Sequence, residues 1–336
     1  MSVQPAPYTT RAYLIQALSP LSAGTGQSAG IIDLPIARMR ATGIPFIPGS
    51  SLKGALKDAG RGRLCDGELA AIFGPDRDGS AGDHCGRDPE RSLPDEEQSA
   101  RDRAGIDHAG ALLVGDARLL ALPVRSFRGT FALATSPLLL HLMRRDLMTC
   151  DPAASSLAVP TMASDDRIRA RVVFEDPLNL YDGKVYLNDV ALPAEPHADA
   201  GAWAEEIAKA LPNDERSFVT RRLVIVDDET MAYLWETATQ IDTRVRIDHK
   251  KTHTVERGGL WTEESLPVET LLIGLAAAHA SRRAGVSMTP PAVLERGLGF
   301  TDAKSGYLQL GGKATIGRGR CALHAFPSGP ATGGSR

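Results

Sequence analysis

Asp33 is the residue of this sequence whose surroundings most invite chemistry. It stands between apolar Ile32 and Leu34, behind the stretch Gly24-Thr-Gly26-Gln-Ser-Ala-Gly30 and ahead of Arg38 and Arg40. A carboxylate among cations is either a structural ion pair or a functional group, and local pattern leaves both open. Two glycine-bearing basic stretches point instead to phosphate. Pro48-Gly-Ser-Ser-Leu-Lys-Gly54 supplies the hydroxyls of Ser50 and Ser51 and the cation Lys53 where a helix begins, so backbone N–H groups and the helix dipole can cradle an anion. Gly311-Gly312-Lys313-Ala-Thr-Ile-Gly-Arg318-Gly-Arg320 combines four glycines with three cations. Glycine admits close backbone approach, and Lys or Arg neutralises phosphate. The bland counterparts are a plain capped helix and a hairpin turn with solvated charges.

A third basic stretch holds Arg244, Arg246, Lys250, Lys251 and His253, and ends at Trp261. Cations along a backbone with a ring able to stack a base are the usual means of holding single-stranded nucleic acid. A solvated strand face with a core tryptophan is the competing reading. Other chemistries find little support. The first glycine stretch runs into Ile31-Ile-Asp-Leu-Pro35, which is strand-like, so it does not open the helix that a dinucleotide fingerprint requires. The second lacks the spacing and Gly-Lys-Ser/Thr of a P-loop. No HExxH motif occurs, and Cys65, His84, Cys85 and His108 match no standard ligand spacing, so structural zinc is not expected.

The elements that must position these residues read as follows. Residues 13–18 form an opening strand, and a helix starts at 50–57, capped by Ser50 or Ser51. Residues 111–120 read as a buried strand, 135–148 as a helix with Pro137 in its first turn, and 184–192 as an alternating strand. Helices follow over 203–211 and 229–240, with a buried strand at 222–227 between them. Arg244-Val-Arg-Ile alternates like an exposed hairpin strand, while 268–284, mostly apolar, reads as a buried helix. The chain closes with a strand at 307–310, the glycine loop, and a strand at 320–323. Such mixing predicts an α+β domain with an antiparallel sheet and sizeable insertions.

Composition is ordinary for a globular chain of 336 residues, with 43% hydrophobic and 24% charged residues. Residues 75–108 are the exception. They are packed with Asp, Glu, Arg, Gly and Pro, cannot bury enough apolar surface to order alone, and read as a mobile insertion. The tail from residue 327 reads as disordered. No apolar run approaches membrane-spanning length and no signal peptide opens the chain, which predicts a cytoplasmic protein without a membrane partner. Four scattered cysteines predict no disulfide framework. The net charge of −3 argues against a generic basic binder but permits a local basic groove.

Several ordered stretches together resemble a known family. They are residues 30–54, containing Asp33, Pro48 and Lys53, then 109–126, Gly129-Thr-Phe, Thr135-Ser-Pro137, Arg244-Val-Arg-Ile, 259–270, Leu310-Gly-Gly-Lys313 and Gly317-Arg-Gly319. They resemble the RAMP proteins of CRISPR effector complexes, and more narrowly the repeated backbone subunit of the type III-B (Cmr) complex. The resemblance implies a ferredoxin-like, RRM-related palm with finger insertions and a thumb β-hairpin around 241–261, in one domain over 1–326. It implies copies stacked in a helical filament on guide RNA beside other Cmr-type subunits, each thumb displacing one nucleotide of the guide–target duplex. By motif position Asp33 is the residue needed to cut target RNA, acting as general base or as the holder of Mg²⁺ or Mn²⁺. Ser50, Ser51, Lys53, Gly311, Gly312, Lys313 and Arg318 fall along the guide backbone, and Arg38, Arg40, Arg244, Arg246, Lys250, Lys251 and Trp261 complete the RNA-binding set. One departure stands out: Pro20-Leu-Ser-Ala-Gly24 has Ser22 where members often carry histidine. A non-catalytic RNA-binding subunit is therefore the first alternative, and a nucleotide-dependent metabolic enzyme the distant one.

Overall fold

The protein is described by a computed structural model over residues 8–24, 32–75, 108–151, 157–162, 168–247, 255–299 and 307–327. In chain order these form strands β1 (Thr9–Ala17) and β2 (Phe46–Ile47), helices α1 (Gly49–Gly60) and α2 (Asp66–Phe73), and strands β3 (Leu112–Val114), β4 (Ala117–Arg125) and β5 (Phe131–Thr135). Helix α3 (Pro137–Cys150) leads to β6 (Ala170–Val172), β7 (Lys184–Leu187) and β8 (Val190–Pro196). Helices α4 (Ala198–Ala208) and α5 (Asn213–Thr220) precede β9 (Leu223–Val226) and α6 (Asp228–Thr237). The chain ends with β10 (Gln240–Ile247), β11 (Val255–Ser265), β12 (Leu271–Ala278), α7 (Pro290–Leu298), β13 (Tyr307–Gln309) and β14 (Arg320–Ala325). The fold is α+β, as the mixed pattern predicts.

Strand β1 shows why this sheet is buried on both faces. Its odd residues Tyr13, Ile15 and Ala17 enter one core and its even residues Ala12 and Leu14 the other, as the two-residue period dictates. The first core is filled by Leu52 and Leu56 of α1, Ile72 and Phe73 of α2, and Val293 and Leu294 of α7. The second takes Leu140 and Met143 of α3 with Trp203 and Ile207 of α4. Each such aliphatic side chain contributes about 1.5–3 kcal/mol on burial.

The strands run β13-β14-β1-β12-β4-β5-β9-β6-β8-β7, with β2 on β4 and β3 on β12. The sheet is mostly antiparallel, but β5–β9 and β6–β8 are parallel, which the expectation of an antiparallel sheet did not include. Beyond β4, Ser126 bridges Leu187 of β7, so this half of the sheet curls back on itself. Strands β10 and β11 stand apart as a separate two-stranded hairpin.

Several local expectations need correction. The apolar run read as a helix over 268–284 is the central strand β12, paired with β1 and β4. A strand buried on both faces loses its alternation, and periodicity then cannot separate it from a buried helix. Gly274 in its middle lies against the Tyr13 ring, where an added Cβ would stand 2.3 Å from the phenol oxygen. The strand read over 184–192 is a tight hairpin of β7 and β8, turning at Asn188 with φ 49°. Residues 111–120 span two strands, β3 and the start of β4. Helices α2, α5 and α7 were not foreseen. Cys65 is disulfide-bonded, whereas Cys150 and Cys321 are free thiols. The insertion and tail expectations fall on 76–107 and 328–336, outside the described residues.

Candidate nucleic-acid interface

The β10–β11 hairpin has two faces of opposite character, set by strand alternation and register. Thr243 lies opposite Thr262 and Val245 opposite Leu260, while Arg244 faces Trp261 and Asp242 faces Glu263. One face thus carries Ile241, Thr243, Val245, Leu260 and Thr262, and the other Asp242, Arg244, Arg246, Trp261 and Glu263. The apolar face is bare: Leu260 is 61% exposed and Ile241 54%.

The loop after β1 runs along the free edge of β11, where Leu34 forms a parallel bridge with Glu263. Leu34 N–H donates to the Thr262 carbonyl at 3.2 Å, and Glu264 N–H donates to the Leu34 carbonyl at 3.0 Å. Asp33 is clasped there by one residue. Thr262 donates its backbone N–H at 2.7 Å and its hydroxyl at 3.0 Å to the same oxygen, Oδ2. The Asp33 N–H in turn donates to Thr262 Oγ1 at 3.2 Å. These bonds, that from the Thr262 backbone foremost, hold the exposed carboxyl below its ordinary range, so it is ionised at neutral pH.

Glu264 ties the loop down beneath Asp33. Its buried carboxylate accepts from Arg38 at 2.6 Å, Thr239 at 2.9 Å and the Ile36 N–H at 3.1 Å. Arg38 also donates to the Trp235 carbonyl at 3.0 Å and to Glu236 at 3.3 Å. Its guanidinium is therefore an internal brace between loop, α6 and hairpin. Arg40 is exposed in the turn that follows.

The glycine loop closes on the opposite face. Lys313 pairs with the buried Glu263 carboxylate at 2.6 Å, which also accepts from Trp261 at 2.7 Å and Arg244 at 3.3 Å. Burial raises the Glu263 carboxyl, but Lys313, Trp261 and Arg244 outweigh it and hold it below the usual range. Arg318 donates to Asp242 at 2.6 Å and to Ser265 Oγ at 3.0 Å. Arg246 lies 6.0 Å from the Trp261 ring centre, a cation–π distance. Gly311 and Gly319 have φ of 72° and 78°, and added Cβ atoms would stand 2.2 Å from the Ser22 carbonyl and 2.0 Å from that of Leu310. Only glycine fits at Gly311 against the loop after β1, and at Gly319 against the end of β13.

At α1 the expected serine cap is absent. Pro48 occupies the N-cap position without a side-chain bond, so Ser50 and Ser51 sit exposed within the first turn. Proline sets the entry dihedral, and the Asp116 carboxylate accepts the Gly49 N–H at 2.8 Å, supplying the missing acceptor. Lys53, one turn in, is half-buried, and desolvation followed by the neighbouring Lys57 lowers its pKa. Helix α1 touches β13, the strand that leads into the glycine loop. The two glycine stretches are thus neighbours in space.

Asp33, Arg38, Arg244, Trp261, Lys313 and Arg318 all gather at the hairpin base, whereas Lys250 and Lys251 lie outside the described residues. Thr262, Glu263, Glu264 and Asp242 complete the site but were not singled out from sequence. The available signal was the adjacent acidic pair in a basic hairpin, which calls for internal cations. Among the described residues no three of His, Cys, Asp and Glu gather into a metal-holding group. A divalent ion at Asp33 would find one carboxylate here, with Glu263 and Glu264 already engaged by cations.

The sequence that builds this hairpin and sheet matches a family model. That of the RAMP superfamily covers residues 14–322, and the chain belongs to this superfamily. Within it, the chain is 32% identical over 317 residues to the CRISPR system Cmr endoribonuclease Cmr4 of Pyrococcus furiosus, covering 92% of this chain and 94% of that one. The fold is similar to crystalline oligomeric Cmr4 from Pyrococcus furiosus, with TM-score 0.65 and 24% identity over 96% of this chain and 100% of that chain. It is equally similar to a chain of the type III-B Cmr-beta complex bound to cognate target RNA, with TM-score 0.65 and 21% identity over 94% and 97% of the two chains.

Proposed function

We propose that this chain is a backbone subunit of a type III-B CRISPR ribonucleoprotein, binding guide RNA and cleaving complementary target RNA. Relatedness along 92% of the chain to a protein named as the Cmr endoribonuclease carries the reading. Partners follow from it: guide and target RNA, further copies of the chain, and other Cmr-type subunits. The proposed setting is the cytoplasm, and among the described residues no helix is long and apolar enough to cross a membrane.

Two finer architectural assignments belong to the proposal. The first is a ferredoxin-like palm made of β1, α1, β4, β12, α7 and β14 within a single domain over 1–326. The spatial order β14-β1-β12-β4, antiparallel throughout, supports it, with α1 and α7 on one face. The second is the β10–β11 hairpin as the thumb that displaces a target nucleotide.

The site chemistry is proposed as follows. A displaced nucleotide can swing its 2′-OH into line with the adjacent phosphate, a geometry that a stacked duplex forbids. Asp33, held ionised by Thr262, accepts the hydrogen bond of that hydroxyl and orients it. A carboxylate kept this acidic is a weak general base, so orientation is its larger contribution. Asp33 is the carboxylate that would hold Mg²⁺ or Mn²⁺, and such an ion would supply stabilisation of charge developing on the phosphorus-bound oxygens. The exposed first turn of α1 with Lys53, and the glycine loop, lie along the guide backbone.

The test is cleavage of target RNA by the assembled complex carrying Asp33→Ala. Target binding should persist while cleavage falls by roughly 10²–10⁴-fold, the wild type leaving 2′,3′-cyclic phosphate ends only when Mg²⁺ or Mn²⁺ is supplied. Full-rate cutting by the variant would overturn the assignment to Asp33, whereas a wild-type complex that binds target without cutting it would establish the non-catalytic RNA-binding reading, to which Ser22 in the first loop lends weight.

A further inference from the structure

We infer that Thr262 is the positioning residue for Asp33, fixing from the hairpin strand which oxygen of the carboxylate is held and which is left for the RNA. The inference rests on Asp33 serving in cleavage. It starts from the direction of the three hydrogen bonds between these two residues. Thr262 Oγ1 accepts the Asp33 N–H at 3.2 Å, so the hydroxyl proton turns away from that nitrogen and toward Oδ2, 3.0 Å away. The Thr262 N–H reaches the same Oδ2 at 2.7 Å. Two donors on one oxygen define the rotation of the carboxylate and assign the reacting role to Oδ1.

The clasp has a consequence for how the site assembles. Asp33 belongs to the loop after β1, yet its carboxylate is oriented by a strand 229 residues away in sequence. Two backbone bonds flank the clasp, Leu34 N–H to the Thr262 carbonyl and Glu264 N–H to the Leu34 carbonyl, so loop and strand move as one piece. The same strand presents Leu260 on the same face two residues away, roughly 7 Å by strand rise. The exposed apolar face of the hairpin and the group that orients Asp33 are therefore rigidly linked. Misplacing a reacting group by about 1 Å can slow a reaction by about 10², so a hydroxyl that fixes this rotation acts on the chemical step rather than on binding.

Thr262→Val keeps the shape and the backbone bond but removes the hydroxyl, and Thr262→Ser keeps the hydroxyl. In complexes reconstituted with guide RNA, single-turnover cleavage by Thr262→Val should slow by about tenfold, the rate equivalent of one hydrogen bond. Its target affinity should match wild type, and Thr262→Ser should cut within about twofold of it. Wild-type cleavage by Thr262→Val overturns the inference. So does an equal loss in both variants, or a loss that tracks weaker target binding, since a merely structural role predicts those. Asp33→Asn, run alongside, separates the two claims. If it cuts normally, the Asp33 reading falls; if it is inactive while Thr262→Val is not, only the role of Thr262 falls.

Discussion

The two faces of the β10–β11 hairpin are built on the same two strands and do opposite things. On one, Leu260 and Ile241 stand bare beside the clasped Asp33, with little to hold them but the strand itself. On the other, Glu263 and Asp242 gather Lys313, Arg244, Trp261 and Arg318 into a closed ionic lattice against the glycine loop. An isolated two-stranded hairpin is marginal in water. The polar face, with buried Glu264 at the foot of the other, anchors the hairpin, which frees Leu260 and Ile241 to stay exposed. Stability and chemistry are divided between them by the alternation of a β-strand.

That division can be broken at either face. The largest effect belongs to Asp33, whose removal should stop cleavage without loosening the fold. Next comes Glu263→Gln, which strips the charge that three donors converge on and should destabilise the hairpin by about 2 kcal/mol, read as a lower Tm and faster hydrogen exchange in residues 240–247. The pH dependence has the same origin. The folded Glu263 carboxyl lies below its ordinary 4.5, so its contribution is complete above pH 4.5 and lost as pH falls through the folded value. Acidification should accordingly loosen the hairpin base, and Glu263→Gln should abolish that component of the transition.

A smaller effect is expected for Lys313→Ala, because Arg244 and Trp261 still reach Glu263 and the lysine is partly exposed. About 1 kcal/mol or less of stability should be lost. If the loop also meets guide phosphate, the salt dependence of guide binding should fall by about one charge. Smallest in stability is Leu260→Ser, expected within about 0.5 kcal/mol of wild type because the side chain is already in water. A large drop in Tm for Leu260→Ser, or none for Glu263→Gln, would reverse the roles given to the two faces.

Arg38 shows what tertiary structure adds to a cation near a glycine loop. Its sequence context suited phosphate as well as an ion pair, and the structure places it on Glu264, a partner 226 residues away. Lys313, Arg244 and Arg318 likewise meet hairpin carboxylates, so a phosphate approaching any of them competes with an existing pair. Charges that look available along the chain are engaged once acidic residues from another segment arrive.

Much of the architecture was legible from sequence alone. The helix after Pro48, the helix opening at Pro137, the exposed alternation of 244–247 and the strands flanking the last glycine loop follow from local rules of period and turn chemistry. Local pattern left Asp33 open between an ion pair and a functional group, and only the resemblance singled it out. The rest required tertiary structure, because its causes are distant in sequence. Strand β12 read as a helix since burial on both faces erased its alternation. Pro48 replaced the serine cap because Asp116 supplies the acceptor. Which face of the hairpin meets which loop is a matter of register, and only that register decides that Thr262 holds Asp33 while Glu263 takes Lys313. The sequence determined the groups that could do chemistry; the pairing of distant strands and loops decided which of them are held ready and which are tied down.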